Sequence, residues 1–301
     1  MTPTFTPVRQ SACPVCQAAD IAPVMQATDY LVSRSSFEIW QCRSCGCRFT
    51  QDTPDESSIG AFYQSESYIS HSNTRKGLLS RLYQLARRFT LQGKRNLVIR
   101  LSGRRQGELL DIGCGTGDFL LAMQEAGWQV SGLEPDAGAR ELARTRGLAV
   151  AQPDQLFSLR AGSFDVITLW HVLEHVHRLH AYLDQIRTLL RPGGLLLIAV
   201  PNYQSHDARH YQSRWAAYDV PRHLYHFTPG SMAQLLEARG FRIESADSMP
   251  LDGFYVSLLS ERYRQNAWWL PAGLWHGLIS WLHGTMRPRE SSAVLYRIRL
   301  A

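Results

Sequence analysis

The stretch "ELLDIGCGTGDF", Glu108 to Phe119, decides the fold. Leu109, Leu110 and Ile112 predict a short buried strand. The strand runs directly into glycines at 113, 115 and 117, and "GDFLLAMQEAG" behind them has helical spacing, stopped by Gly127. Glycine admits positive φ and lets a ligand approach the backbone closely. The helix start offers N–H groups that have no partner within the helix. A dinucleotide fingerprint, G-x-G-x-x-G, would need glycine at 118. The chain has Asp118 there, so the spacing is G-x-G-x-G. Asp111 lies at the strand end, where a carboxylate meets a cationic ligand rather than a pyrophosphate.

Strand and helix patterns alternate from there. "WQVSGLE" predicts a strand, "DAGARELARTRG" a helix and "LAVAQ" a weak strand. "SFDVITLW" predicts a strand, "RLHAYLDQIRTLL" a helix and "GGLLLIAVPN" a strand. "SMAQLLEARG" and "FRIESADS" add a helix and a strand, and "SAVLYRIRL" a last strand. Short apolar strands in this order predict an α/β fold: a doubly wound, mostly parallel sheet with helices on both faces and the last strand antiparallel. Glu134 ends the second strand, where an acid can accept two ribose hydroxyls.

The motifs "ELLDIGCGTG", "GLEPD", "SFDVITLWHVLEHV", "LRPGGLLLIAVPN" and "RHLYHFTP" occur in this order. Over about residues 106–248, with the last strand near 293–300, the chain resembles class I S-adenosylmethionine-dependent methyltransferases. The resemblance implies that Asp111, Gly113, Cys114, Gly115 and Gly117 cradle the methionine part of the cofactor. It implies that Glu134 holds the ribose and that Leu133 and Pro135 flank the adenine, with Trp170 joining the site. Asp154, in "AVAQPDQLF", is the expected contact of the adenine amine. The sulfonium is already an activated methyl donor. The protein has to align an acceptor and take its proton. Proton acceptors and charged groups cluster in "WHVLEHVH" (His171, Glu174, His175, His177) and in "DVPRHLYHFTP" (Asp219, Arg222, His223, Tyr225, His226). His171, Glu174, His223 and His226 are the expected catalytic groups, because ligands lie beyond the carboxyl ends of the strands in such a sheet. Glu174 could instead be a helix-terminal charge, and Arg222 either binds a substrate phosphate or carboxylate or pairs with Asp219. A small-molecule or sugar hydroxyl, lipid-linked in one version, is the expected acceptor. Methylation of RNA is the alternative.

The other motif is cysteine. "CPVC" (Cys13–Cys16) and "CRSCGC" (Cys42–Cys47) hold five of the six cysteines. Two C-x-x-C pairs predict a closed four-thiolate zinc site of Cys13, Cys16, Cys42 and Cys45, with Cys47 spare. A site with no open position is structural. The N-terminus "MTPTFTPVRQSACP" has no apolar signal core, which predicts a reducing cytoplasm where disulfides rarely persist. The expected organisation is a zinc-ribbon-like domain at 1–52, a helical connector at 53–105 and a methyltransferase domain at 106–301, with an insertion at about 251–289.

The composition is that of a globular chain: 301 residues, 45% hydrophobic and 19% charged, with a net charge of +6. A positive balance suits anionic partners. The ribbon carries few basic residues (Arg34, Arg43, Arg48), which argues against nucleic acid. The insertion "NAWWLPAGLWHGLISWLHGTM", 266–286, has no charged residue and four tryptophans, with Arg262, Arg264, Arg287 and Arg289 on its flanks. Pro271 and two histidines argue against a membrane span. Trp with basic flanks predicts an interfacial helix or hairpin on the inner face of the membrane. A buried lid and a subunit contact are the competing readings.

Overall fold

A computed structural model describes residues 5–63, 78–249 and 251–301, and the side chains of all these except 78–89. Residues 64–77 of the expected helical connector lie outside the described residues. The chain opens with β1 (Pro7–Val8), β2 (Ile21–Thr28), β3 (Ser36–Cys42), β4 (Arg48–Thr50) and β5 (Thr53–Pro54). A long helix, α1 (Leu78–Ser102), leads to β6 (Glu108–Ile112).

The alternation that follows is β6, α2 (Asp118–Glu125), β7 (Gln129–Leu133), α3 (Ala137–Thr145), β8 (Ala149–Ala151), β9 (Phe164–Trp170), α4 (Leu179–Leu189) and β10 (Leu190–Pro201). After it come α5 (His206–Tyr211), β11 (Tyr225–His226), α6 (Pro229–Glu237), β12 (Phe241–Ser248), α7 (Asp252–Tyr263), α8 (Trp269–Met286) and β13 (Ala293–Leu300). The main sheet has seven strands in the order β12-β13-β10-β9-β6-β7-β8. Only β13 runs antiparallel to its neighbours, with Leu196 opposite Ile298 and Pro201 opposite Ala293. Leu109, Val166, Ile167 and Leu195 to Val200 are essentially inaccessible, as strands covered on both faces must be. On α4, Leu179, Tyr182, Leu183, Ile186 and Leu189 share one buried stripe. The strand order reverses between β6 and β9. The loops that follow them, at 113–117 and 171–178, stand beyond their carboxyl ends, where a sheet of this order places its ligand crevice.

Two boundaries differ from expectation. β10 begins at Leu190 rather than at the paired glycines, because Leu190 already pairs with Phe164 and a bulge takes up residues 191–194. The cysteine segment does not end at 52, since Thr53 and Pro54 pair with β1. Nor does it stand apart: its sheet has the order β11-β4-β3-β2, and β11 belongs to the connection after β10. Arg222, which is 1% exposed, locks the same joint. It donates to Asp29 at 2.9 Å, to Asp219 at 2.7 Å and to the Phe62 carbonyl. The alternative of an Asp219 pair is thus the one the structure adopts, and Arg222 is enclosed.

The insertion folds as a helical hairpin. Gly273 and Gly277 of α8 lie so close to α7 that an added Cβ would come within 2.7 Å of Leu258 and 2.6 Å of Phe254. Small residues let the two backbones approach in this way. The opposite side of α8 exposes Trp268, Leu270, Leu274, Trp275, Leu278, Trp281, Leu282 and Met286. Among the described residues, no helix is long and apolar enough to cross a membrane.

Candidate active site and cysteine centre

The loop after β6 is held open by its own glycines. Gly113, Gly115 and Gly117 all have positive φ. A Cβ on Gly113 would strike Val172, and one on Gly117 would strike Leu148, each at 2.3 Å. A Cβ on Gly115 would meet nothing within 4 Å, so this backbone faces open space. Glu134, buried at the end of β7, accepts the Gly115 N–H at 2.8 Å and the Asp136 N–H at 2.9 Å. Burial raises its pKa, and those two N–H groups oppose the rise. Asp111 is 2% exposed and accepts a hydrogen bond from Thr168 at 2.6 Å. Burial pushes its carboxyl up to about 7, against that hydrogen bond and the charge of Lys94. A buried carboxylate with so little compensation fits a cationic ligand better than an anionic one.

Trp170 ends β9. Phe119 meets it edge-on at 5.7 Å, and the Lys94 ammonium sits 4.3 Å from its ring centroid. Lys94 was not a sequence candidate, because α1 looked like a connector rather than a wall of the crevice. Cys114 is buried, and its thiol is pushed up by that burial. The Pro135 carbonyl accepts from Arg140 at 2.6 Å. Asp154 stands just past β8, 79% exposed, with its carboxylate 3.0 Å from Arg178.

The histidine cluster is tighter than its sequence spacing suggested. His171 follows β9 with φ 57, a left-handed conformation that is uncommon outside glycine. Its Nε2 lies 2.9 Å from Asp252 and its Nδ1 3.6 Å from Glu174. Burial lowers its pKa, but Asp252 first and Glu174 second outweigh burial and hold it at about 10. His171 is therefore a cation at neutral pH. Asp252, the first residue of α7, is a further residue that sequence reasoning missed, since it belongs to the insertion. Glu174 is fully buried, and among the described residues neither carboxylate oxygen has a hydrogen-bond partner. Burial alone would raise its pKa; His171, His223 and His175 draw it below the ordinary value.

His175 is pushed down to about 4 by burial and by His223, whose ring stands 4.5 Å away. Its Nδ1 meets Tyr63 at 2.9 Å and the Arg222 carbonyl at 3.0 Å. His223 donates from Nδ1 to the Ala217 carbonyl at 2.8 Å, which turns Nε2 toward Asp219 at 3.9 Å. Donor atoms of Glu174, His175 and His223 lie within 4.8 Å of one another, a set that could also hold a divalent cation. His226 is separated from this group by its role in the joint. It is buried, lies 3.1 Å from the Thr50 hydroxyl, and is held well below its ordinary pKa by burial and by His223.

In the N-terminal module, the sulfurs of Cys13, Cys16, Cys42 and Cys45 all lie within 4.8 Å of one another. Cys13 and Cys45 are 3.5 Å apart, and Cys16 and Cys42 3.6 Å. A tetrahedral ion with bonds of about 2.3 Å needs sulfurs about 3.8 Å apart, so the four fit one ion. Cys47 points away and donates to the Arg48 carbonyl at 3.2 Å.

A ubiquinone biosynthesis O-methyltransferase of Bordetella avium is 31% identical over 111 residues, covering 34% of this chain and 46% of that one. Its counterpart in Xanthomonas axonopodis pv. citri is 27% identical over 155 residues, covering 47% and 65%. The chain thus spans less than two thirds of either relative. Among solved structures, an S-adenosylmethionine-dependent methyltransferase from Mesorhizobium loti has a TM-score of 0.47 at 18% identity, over 69% of this chain and 99% of that one. The [4+2]-cyclase SpnF has a TM-score of 0.48 at 17% identity, over 69% and 81%. The family profile described as "Methyltransferase domain" matches residues 83–246, more than half of the chain. The chain therefore belongs to that family, with the class I S-adenosylmethionine-dependent fold.

Proposed function

We propose that the protein transfers a methyl group from S-adenosylmethionine to an oxygen of a small-molecule acceptor, with a lipid-linked acceptor as the favoured version. One observation carries this: the open glycine Gly115 donates its N–H to Glu134 at the end of β7, beside the strand that carries Asp111, whose carboxyl burial pushes up. In this reading Glu134 binds the ribose hydroxyls, and Asp111 and Lys94 take the amino and carboxylate ends of the methionine part. Trp170 closes one wall, Pro135 lies beside the adenine, and Asp154 would have to leave Arg178 to reach it. The cofactor supplies an activated methyl group; the protein's own residues position the acceptor and take its proton. His171, being cationic, donates a hydrogen bond rather than accepting a proton. His223, with Nδ1 engaged by a carbonyl and Nε2 turned toward Asp219, is the better base, and Glu174 keeps the positive charge of the cluster in balance.

Zinc in the four-cysteine centre is the second part of the proposal, supported by the sulfur spacing. It would fasten a module too small to hold itself together by burial alone. The third part is peripheral attachment to the inner face of the membrane through 266–286, supported by the exposed apolar side of α8.

Isothermal titration tests the first part. S-adenosylhomocysteine is expected to bind and NAD(H) not to bind. Gly115→Arg is expected to abolish binding while the circular dichroism spectrum stays that of the wild type. NAD(H) binding in preference to S-adenosylhomocysteine would overturn the reading.

A further inference from the structure

Two adjoining clefts lie away from the glycine loop and the histidine cluster, and the second is lined in part by α8. One, of about 560 Å³, is bounded by Arg48 of the cysteine module and by Tyr203, Arg209 and Tyr218 of the connection after β10. The other, of about 370 Å³, is bounded by His206 and His210 of α5, by His283 of α8 and by Arg287. Arg209 and Glu290 line both, so the two share a wall. Arg48 is aimed by Gln41 at 2.9 Å and Tyr218 at 2.8 Å, and lies over the Tyr203 ring at 4.2 Å. Arg209 and Arg287 converge on the Glu290 carboxylate at 3.1 and 3.3 Å, so two guanidiniums are already arranged around one oxyanion. Two stacked histidine pairs join α5 to α8, His206 with His283 at 4.5 Å and His210 with His276 at 3.8 Å, and of these four His206, His210 and His283 line the second cleft. Three guanidiniums against one carboxylate leave the walls positive. The helix that brings His283 to the cleft exposes Trp275 and Leu282 on its other side.

We infer that this double cleft binds the phosphate or diphosphate headgroup of an amphiphilic acceptor, with the apolar part of that molecule lying toward the outer face of α8. Guanidinium forks match phosphate oxygens in pairs, and aromatic side chains with basic neighbours suit the boundary between headgroup and hydrocarbon. The inference rests on the lipid-linked version of the proposed function. It assigns the anion-binding role to Arg209 and Arg287, because the sequence candidate Arg222 is enclosed by Asp29 and Asp219.

The test is direct binding of farnesyl diphosphate and of inorganic pyrophosphate to the full-length, zinc-loaded protein, read by calorimetry without turnover. Farnesyl diphosphate is expected to bind more tightly than pyrophosphate. Both affinities are expected to fall about tenfold or more in Arg209→Ala/Arg287→Ala. Arg287→Gln, at a side chain 70% exposed, gives the same direction without risk to folding. Equal affinities that both fall in the variants would keep the anion site and overturn the lipid part. No binding, or variants that bind like the wild type, would overturn the inference. S-adenosylhomocysteine binding, measured in the same variants, reports separately on the methyltransferase reading.

Discussion

Replacing Asp252 by Asn should change the charge state of His171. The Asp252 carboxylate lies 2.9 Å from Nε2 and is the largest influence holding the imidazolium, with its pKa raised from 6.5 to about 10. A hydrogen bond between charged partners contributes roughly 1.5–3 kcal/mol when buried. The His171 side chain is 36% exposed, so solvent screening leaves about half of that, on the order of 1–1.5 kcal/mol. At about 1.4 kcal/mol per unit, Asp252→Asn should lower the His171 pKa by about one unit. Because the folded value lies above the unfolded one, the pair's contribution to stability is complete below pH 6.5 and disappears as pH rises through about 10. The wild type should therefore lose stability between neutral and strongly alkaline pH, and the variant should lose less over that range. Imidazole NMR with ring-labelled histidine, assigned by His171→Gln, reads the midpoint directly. A wild-type His171 titrating near 6.5, or equal midpoints in both proteins, would refute the reasoning and return His171 to the role of base.

His223→Ala should reduce turnover by about 100-fold or more once an acceptor is found, with cofactor affinity close to wild type; unchanged turnover would remove His223 as the base. The purified protein should carry about one zinc per chain by elemental analysis, and Cys42→Ser should lose both the metal and the N-terminal fold; metal-free protein that keeps its fold would contradict the structural role. The protein should sediment with anionic liposomes at low salt and less so at high salt, and Trp268→Ser/Trp275→Ser should release it. Retention of that variant on the vesicles would move the contact away from α8.

The sheet was legible because its signals are local. "ELLDIGCGTG" binds a strand, a turn and a helix start into ten residues, and strands covered on both faces carry unbroken apolar runs that no loop would carry. The four cysteines were legible for the same reason, since each C-x-x-C pair is a local turn. What was not legible depends on residues far apart in sequence. Lys94 looked like one basic residue on an ordinary helix, and only the packing of α1 places it over Trp170. Asp252 looked like the start of an insertion, and only the return of α7 across the carboxyl edge sets it against His171. His226 sits in a motif with His223 and so shared its expectation. Strand pairing turns alternate residues to opposite faces, and the pairing of β11 with β4 commits His226 to the joint.

That joint ties the cysteine module to the connection that carries His223. The Asp29 carboxylate is inaccessible and accepts the Leu31, Val32 and Ser33 N–H groups as well as Arg222. Arg222 in turn holds Asp219, and its carbonyl meets Nδ1 of His175. On the other side, Thr50 of β4 donates to the His223 carbonyl at 2.7 Å, and the Thr50 N–H donates to the Leu224 carbonyl at 2.9 Å. The backbone that carries His223 is therefore held by the module that carries the four cysteines. A buried charge pair of this kind adds little net stability compared with apolar packing, because desolvation offsets most of its attraction. It does penalise any arrangement that separates its partners, since each would remain a lone charge in a place closed to water. The pairing thus fixes one position of the connection relative to the sheet. Asp29 and Thr50, through Arg222 and the His223 carbonyl, thereby hold the backbone from which His223 projects.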